Sequence, residues 1–381
     1  MSETFRPYSG IRILDLTHDL GRYATRLFAD LGAEVTRIEP PGGLPDRARE
    51  TEATPGGAET FAFHNASKHS RILDLTGNEG RAAFAALARD AQVVVLERGG
   101  PLGEGDTAWL RGLNPTSVIV HVSPYGLGGP LESAPASDLT LQAAGGIAWM
   151  TGRGDEPPLR LPGGQAAMIT SVYTGVATAM CLMDAELRGR GHILDVSAQE
   201  AIAHSLQNAI QVWDLERRIS HRAGEGTRDA SENIYECLDG HVFLASPPTT
   251  GVSWKNLLGW MRECGHPSAE PFSAPEWMDR SKRATPAARA AFKPLFEAFT
   301  RGFTRDELVE NALRRRIVMS QVSRVHEVLG DKQLAYRDYF VTLGEGGARF
   351  PGAPYKMSEK LWQVAPPPAL GQHDPQPDQR S

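Results

Sequence analysis

The sequence predicts an α/β protein with a large domain built on a parallel sheet and a smaller α+β domain. First, 381 residues suffice for about two domains at roughly 150 residues each. Second, a hydrophobic content of 41% and a charged content of 23% are ordinary for a globular protein. Third, short apolar runs alternate with helical patterns through the first half of the chain. Such alternation is typical of βαβ units, whose parallel sheet is covered by helices on both faces.

The first strand–helix units are marked by a repeated string. RILDLT occurs at 12–17 and again at 71–76, and each copy is predicted to be a strand that leads into a helix. The helix GRYATRLFADLG has one apolar stripe and ends at Gly32, and the strand EVTRIE follows it. The second copy leads through GNEGRAAFAALARD to the apolar strands QVVVL and SVIVHVS. We interpret the repeat as two units with the same local pattern.

The rest of the chain changes character twice. A long helix rich in small residues starts near Thr170 and is followed by the strand in HILDVS and another helix. A polar stretch then precedes a hairpin and several amphipathic helices, and the C-terminus is rich in proline. These shifts predict a large domain, a linker, a small α+β domain, a return to the large domain and a flexible tail, at 1–216, 217–232, 233–340, 341–365 and 366–381.

Charge and cysteine content exclude several classes of protein. The net charge of -6 and a pI of about 6.0 give no basic field for nucleic acid or an anionic membrane. Cys181, Cys237 and Cys264 are odd in number and far apart, which argues against a disulfide framework or a metal cluster. The first ten residues lack a signal-peptide core, and no run reaches the ~18 apolar residues of a membrane span. We expect a cytoplasmic protein without a metal site.

The stretch RLPGGQAAMITSVYTG, at 160–175, has the form of a ligand site. A strand end runs into a Gly-Gly turn and then a helix start, where outward-pointing backbone amides favour anionic ligands. The stretch nevertheless contains no carboxylate, His, Lys or Cys.

Seven segments, taken together and in order, resemble the class III CoA-transferase family. They are GIRILDLTHDLGRYATRLFADLGAEVTRIEPPGG, NASKHSRILDLTGNEGR, LNPTSVIVHVSPYGLGGP, SDLTLQAAGGIAWMTG, GRGHILDVSAQEA, PGAPYKMS and PALGQHD. The resemblance implies a Rossmann-like large domain and a dimer of interlocked rings. It also implies coenzyme A (CoA) or acyl-CoA as substrate, with no covalently bound cofactor. In transferases of this family a carboxylate attacks the acyl-CoA thioester, and the enzyme briefly carries CoA as an aspartyl thioester.

Laid on the family pattern without a gap, the sequence places Ala167 at the nucleophile position. A methyl group can neither attack a thioester nor accept a proton. Nearby, Gln165 could donate a hydrogen bond to a thioester carbonyl, or it could simply bond local backbone. Gly163 and Gly164 could bring backbone amides close to an acyl oxygen, or form an ordinary tight turn.

Four positions resemble the CoA-binding residues of the family. Lys68 matches a lysine at the CoA phosphates, and its alternative is a solvated lysine. His69 stands where the family usually has Arg, which weakens charge binding at neutral pH. The family loop ENFRPG is reduced here to ERGGPLG, which retains Glu97. In that loop Arg98 could partly replace the lost aromatic and Arg side chains.

Two further side chains are candidates for the active site. Asp138 matches an acidic position near the family's active site, or caps the helix that follows it. Its neighbour Ser137 stands where the racemase branch needs His, so racemisation is excluded by Ser137 together with Ala167. His18 ends the first predicted strand, where α/β ligand sites form, and it could face the pocket or bond locally.

Three functions remain open from the sequence. The chain could be one subunit of a heteromeric CoA-transferase whose partner supplies the carboxylate, with an acyl-CoA and a carboxylic acid as substrates. It could instead be a stand-alone acyl-CoA enzyme, either of the isomerase or lyase type or a transferase that acts through a ternary complex. Such an enzyme would recruit His18, Gln165, Tyr173 or Asp138. A non-catalytic acyl-CoA-binding protein is the third possibility. In each case we expect a homodimer or a heteromer.

Overall fold

The computed structural model describes residues 5–47, 57–206, 209–222, 229–246, 253–343 and 348–375. The chain forms two units. The first unit comprises residues 1–149, 159–220 and 332–381, and the second comprises 150–158 and 221–331. The sequence placed the small domain at 233–340, so the division in the structure differs at both ends and adds a short segment near residue 155.

A six-stranded sheet forms the centre of the first unit. Its strands are β1 (Arg12–Leu16), β2 (Glu34–Glu39), β3 (His69–Ile72), β4 (Val93–Glu97), β5 (Val118–Ser123) and β6 (Ile193–Ser197). The order is β3-β2-β1-β4-β5-β6, and every neighbouring pair is parallel. The predicted parallel sheet is therefore confirmed. The strand order reverses between β1 and β4, and in open α/β sheets such a crevice at the carboxyl ends binds ligands.

Helices alternate with these strands along the first unit. They are α1 (Arg22–Asp30), α2 (Gly57–Asn65), α3 (Asn78–Asp90), α4 (Thr107–Leu113), α5 (Asp138–Ala144), α6 (Gln165–Arg188), α7 (Ala198–Ser205) and α8 (Ala209–Glu216). Alternate strand residues enter two different cores, as the period of a strand requires. Ile13 of β1 packs with Phe28 and Leu182 on one face, whereas Leu14 packs with Phe84 on the other.

The close packing of α6 against α1 explains why α6 is rich in small residues. A β-carbon on Gly175 would lie 3.4 Å from Leu27 Cδ1, so small residues allow close packing against α1. Among the described residues, α6 is the helix that is long and apolar enough to cross a membrane by length and composition alone. One face of α6, which includes Thr170, Thr174 and Leu182, is buried inside the first unit, as in the core helix of a globular protein.

The second unit has a small antiparallel sheet with helices. Its strands are β7 (Glu232–Cys237), β8 (Gly240–Ala245) and β9 (Val318–Gln321), and its helices are α9 (Ser253–Glu263), α10 (Ala269–Phe272), α11 (Arg280–Arg283), α12 (Pro286–Thr300), α13 (Arg305–Arg314) and α14 (Val325–Val328). Its core is rich in aromatic residues, which include Trp254, Phe292 and Phe296. The chain then returns to the first unit through α15 (Lys332–Tyr336) and the hairpin of β10 (Phe340–Thr342) and β11 (Arg349–Pro351).

The C-terminal segment departs from the flexible tail expected for 366–381. His373 Nδ1 accepts a hydrogen bond from the N–H of Ser70 (3.2 Å), and Asp374 Oδ1 accepts one from the N–H of Ile72 (2.9 Å). These polar side chains take the place of a neighbouring strand along the free edge of β3. The expectation of a flexible tail is therefore wrong for the described part of the segment, and 376–381 lie outside the described residues.

Candidate active site

The start of α6 follows a turn that only glycine adopts easily. Gly163 and Gly164 have φ values of +84° and +68°, in the left-handed region where a β-carbon would be strained. Both glycines are exposed. The side chain of Gln165 folds back onto this turn, where its Nε2 donates to the carbonyl oxygen of Pro162 (3.2 Å).

Helix α5 holds this turn in place. Asp138 Oδ1 accepts a hydrogen bond from the N–H of Ala166 (3.0 Å), and its Oδ2 accepts one from Gln142 Nε2 (2.7 Å). The buried Gln142 amide also pairs with both backbone groups of Leu161, at 2.7 and 3.0 Å. Asp138 thus caps α6, while Ser137 caps α5. The sequence predicted a role for Asp138 but not for Gln142. The position of Gln142, one helical turn after Asp138 on the same face of α5, was the pattern that could have indicated it.

Ala167 lies on the inner face of α6. Its half-buried methyl group packs against the core beneath the helix. Ser171, one helical turn further along the same face, donates a hydrogen bond from Oγ to the carbonyl oxygen of Leu20 (2.6 Å). Ala167 therefore lies one helical turn before the residue of α6 that bonds the turn between β1 and α1. The carboxylate of Asp138 is hydrogen-bonded to this helix start.

The turn between β1 and α1 encloses a carboxylate of the protein itself. The buried Glu97 side chain accepts hydrogen bonds from four consecutive backbone N–H groups, those of residues 18–21, at 2.9–3.2 Å. This turn and helix start are where open α/β sheets usually bind a phosphate. Because Glu97 fills the anion position, the turn between β1 and α1 is closed to a phosphate group. The sequence predicted Glu97 as a CoA-binding residue, and this internal bonding was missed.

His18 is brought beside Glu97 by the same turn. Its Nδ1 lies 3.5 Å from Glu97 Oε1, and its side chain is 21% exposed. On the other side of the ring, a β-carbon on Gly99 would lie 3.8 Å from His18 Nε2. Gly99, which has no side chain, therefore lies beside Nε2 at the carboxyl ends of β1 and β4.

A small cavity opens beside this turn, at the carboxyl ends of β4 and β5. Its volume is about 240 Å³, and Arg98, Gly99, Gly103, His121 and Glu132 are among the residues that line it. Arg98 forms an ion pair with Glu132 (3.1 Å). In the sequence, this cavity was indicated only by the glycine-rich string ERGGPLG. The ion pair between Arg98 and Glu132 was not predicted.

Lys68 lies in a buried charge network and not on the surface. Its Nζ donates to Asp15 Oδ2 (2.8 Å), to the carbonyl oxygen of Arg22 (2.8 Å) and to Asn65 Oδ1 (2.9 Å). All three ammonium donors are used, and the side chain is 0% exposed. Burial lowers the pKa of Lys68 to about 8, and the charge of Asp15 opposes that shift. The predicted contact between Lys68 and the CoA phosphates is therefore corrected to a structural ion pair.

His69 is also directed away from the candidate active site. Its ring stacks on that of His373, with ring centroids 4.2 Å apart, at the edge of the sheet. The structure therefore places His18, Glu97 and Arg98 at the carboxyl ends of β1 and β4, and Asp138, Gln165 and the Gly163–Gly164 turn at the start of α6. It places Lys68 and His69 elsewhere. Among the described residues no cluster of side chains suits a metal ion.

His64, beside the network of Lys68, gives a prediction about pH. Burial, reinforced by the positive charges of Arg22, Lys68 and Arg26, lowers the pKa of His64 from 6.5 to about 2. The unfolded chain then binds a proton that the folded chain does not. We expect His64 to reduce the free energy of unfolding as the pH falls below 6.5, by about 1.4 kcal/mol per pH unit.

Urea unfolding of wild type and His64→Phe at a series of pH values from 5 to 7.5 tests this prediction. The difference in the free energy of unfolding between the two proteins should change with that slope below pH 6.5 and be constant above it. The exposed His326, replaced by Gln, serves as the control and should leave the pH dependence unchanged. Parallel curves for wild type and His64→Phe would show that His64 does not titrate as its burial implies.

Comparisons with known proteins agree on one family. A family model described as CoA-transferase family III matches residues 8–374. The subunit BbsE of succinyl-CoA:(R)-benzylsuccinate CoA-transferase from Thauera aromatica is 33% identical over 96% of this chain and 92% of its own length. Succinyl-CoA:mesaconate CoA-transferase from Haloarcula hispanica is 26% identical over 92% of this chain and 90% of its own.

Solved structures show the same fold. A CaiB/BaiF family protein from Brucella suis superposes with a TM-score of 0.83 at 23% identity, over 97% of this chain and 98% of that one. Rv3272 from Mycobacterium tuberculosis superposes with a TM-score of 0.79 at 21% identity, again over 97% and 98% of the two chains.

Proposed function

The chain belongs to CoA-transferase family III, and from this premise we propose that it acts in CoA transfer between an acyl-CoA and a carboxylic acid as one subunit of a heteromer. The partner subunit would carry the nucleophilic carboxylate. One observation carries the proposal: the methyl group of Ala167 occupies the inner face of the α6 start, where the family resemblance implies an aspartate. The relative that is 33% identical is itself named as a subunit.

The reaction mechanism explains why a chain with Ala167 would need a partner subunit. In the split-step mechanism a carboxylate attacks the thioester carbonyl, and the resulting anhydride passes the acyl group on. Ala167 supplies no such group, and both oxygens of Asp138 accept hydrogen bonds that fix α5 to α6. We therefore assign Asp138 to positioning the helix start. The exposed amides of Gly163 and Gly164, with the second Nε2–H of Gln165, are suited to a thioester carbonyl oxygen.

Helix α6 also offers a surface for the partner. Five exposed apolar side chains form a stripe along its outer face, and we name them the α6 stripe: Val172, Val176, Met180, Met183 and Leu187. Their spacing of three or four residues places them on one side of the helix. Exposed stripes of this kind mark association surfaces. Because α6 begins at the incomplete site, we propose that the Asp-bearing relative packs along this stripe.

Charge placed in the α6 stripe should weaken this association. The Val176→Glu variant should bind the Asp-bearing relative at least ~10-fold more weakly, because a carboxylate would be buried in an apolar interface. Its fold should be unaffected, since Val176 is 56% exposed. Val325→Glu, at an exposed valine of the second unit, is the matched control. Sedimentation of the mixed subunits measures the change, and unaltered binding by Val176→Glu would exclude the stripe as the interface.

The proposed function is tested by turnover with defined subunits. The purified chain is offered succinyl-CoA or acetyl-CoA and a panel of carboxylic acids, alone and with a relative that carries aspartate at the position of Ala167. CoA esters are followed by mass. We expect transfer only from the mixture, and none when the relative's aspartate is replaced by alanine. Turnover by the chain alone would favour a stand-alone acyl-CoA enzyme, and CoA binding without any turnover would favour a binding protein.

A further inference from the structure

We propose that His18 and Glu97 form a carboxylate–imidazole pair whose free nitrogen, His18 Nε2, stabilises and protonates the sulfur of CoA when the thioester is cleaved. The proposal rests on the proposed function, because it requires an acyl-CoA whose reacting carbon lies at the start of α6. It assigns a catalytic role to His18 and a positioning role to Glu97.

The carboxylate of Glu97 lies beside one nitrogen of the His18 ring. Glu97 is itself held by the four backbone N–H groups of residues 18–21, so its carboxylate cannot easily move. The backbone N–H of His18 is one of these donors, and its Nδ1 lies 3.5 Å from Glu97 Oε1. A carboxylate at this distance favours a proton on Nδ1, which leaves the lone pair of the neutral ring on Nε2.

The open side of His18 is the side on which a ligand can approach. Among the described residues, Nε2 has no hydrogen-bond partner. Gly99 places no side chain over it, and the imidazole remains 21% exposed. A buried carboxylate on one nitrogen and an accessible second nitrogen is the arrangement expected of an acid–base group rather than of a structural histidine.

A hydrogen bond joins α6 to the turn that carries His18. Ala167 shares the inner face of that helix with Ser171, and the hydroxyl of Ser171 bonds the carbonyl oxygen of Leu20. Leu20 and His18 belong to the same four-residue turn around Glu97. An acyl group bound at the start of α6 would therefore have the turn that carries His18 opposite the Ala167 position.

The proposed step balances as follows. The attacking carboxylate, which the proposed function assigns to the partner subunit, forms a bond to the thioester carbon, the carbon–sulfur bond breaks, and its electron pair goes to sulfur. The His18 imidazolium transfers its Nε2 proton to that sulfur, which gives the CoA thiol and a neutral ring. When CoA attacks in the return half of the cycle, neutral His18 takes the same proton back. No oxidant, reductant or metal is involved.

Other charged groups near this pair are already compensated. Asp19, on the same turn, pairs with Arg22 at 3.4 Å, and Arg98, next to Glu97, pairs with Glu132. Glu97 is therefore the charged group that faces the His18 ring. When His18 carries a proton on both nitrogens, its positive charge should lower the pKa of a nearby thiol.

The test is the titration of the thiol of bound coenzyme A. The ultraviolet absorbance of the thiolate is recorded against pH for the chain with CoA, with desulfo-CoA as the blank to cancel the three protein cysteines. We expect the bound thiol to titrate at least about one pH unit lower in wild type than in His18→Gln. The matched control is His192→Gln, because His192 also pairs with a carboxylate, Asp184 (2.8 Å), near the other end of α6.

The outcomes separate this proposal from the proposed function. Binding of CoA with equal titration in wild type and His18→Gln, or an equal shift in His192→Gln, overturns the role of His18 and leaves the proposed function standing. Calorimetry that detects no CoA binding by wild type overturns the role of His18, whereas turnover by the mixed subunits tests the proposed function separately. Histidine nitrogen NMR of the unliganded chain provides a second measurement, because neutral His18 should carry its proton on Nδ1, and a proton on Nε2 would contradict the pairing.

Discussion

The Ala167→Asp variant is expected to form a covalent CoA adduct that the natural chain does not form. Aspartate at this position would be the third residue of a 24-residue helix, where the helix dipole favours a negative charge. Its side chain would replace a half-buried methyl group on the face that is directed at the turn of His18 and Glu97. The adduct would be an aspartyl thioester, formed after attack on an acyl-CoA.

Intact mass after incubation with succinyl-CoA measures this gain, and hydroxylamine should remove the added CoA. Gln165→Asp is the matched control, because it places the same carboxylate two residues earlier, where the present side chain folds onto Pro162. We expect an adduct on most Ala167→Asp chains and none on Gln165→Asp. A folded Ala167→Asp variant that binds CoA and stays unmodified would show that this helix start is not the site of acyl transfer.

The second large effect is on stability. Lys68→Met should lower the free energy of unfolding by about 3–5 kcal/mol, because it leaves the buried Asp15 carboxylate without its ammonium partner. Burial would raise the pKa of Asp15, but the charges of Lys68 and Arg37 hold it below its usual value. Removing Lys68 therefore removes much of what keeps Asp15 charged in the interior.

Chemical denaturation measures this loss, and the double variant Asp15→Asn/Lys68→Met separates its causes. If the uncompensated charge of Asp15 dominates, the double variant should be more stable than Lys68→Met alone. The affinity of the folded Lys68→Met protein for CoA should match that of wild type. Unchanged stability combined with weaker CoA binding would restore Lys68 as a phosphate ligand.

The fold was predictable from the sequence to the extent that it depends on periodicity. The alternation of apolar strands with helices predicted the parallel sheet, and the small residues of α6 predicted its close packing. Both are local patterns that the chain repeats within a few residues. The packing of Gly371–Asp374 along β3 was not predictable, because it pairs polar residues about 300 positions apart in the sequence.

The candidate site was predictable only where a motif had a single interpretation. The Gly-Gly turn and the methyl group at Ala167 could be identified from sequence order alone. Lys68 and Glu97 could not, because a motif does not show whether a charge faces solvent or a buried partner. In the structure Lys68 forms an ion pair with Asp15, and Glu97 accepts hydrogen bonds from backbone N–H groups. Both arrangements depend on distant segments that meet only in the folded chain.

The most direct test of the central claim is to find which subunit carries CoA during turnover. The heteromer of this chain and its Asp-bearing relative is incubated with succinyl-CoA, quenched, and the intact mass of each subunit is recorded. The subunit proposal predicts a hydroxylamine-sensitive CoA adduct on the relative and an unmodified mass for this chain. A CoA adduct on this chain would contradict it, because a nucleophile other than the residue at position 167 would then have to exist within it.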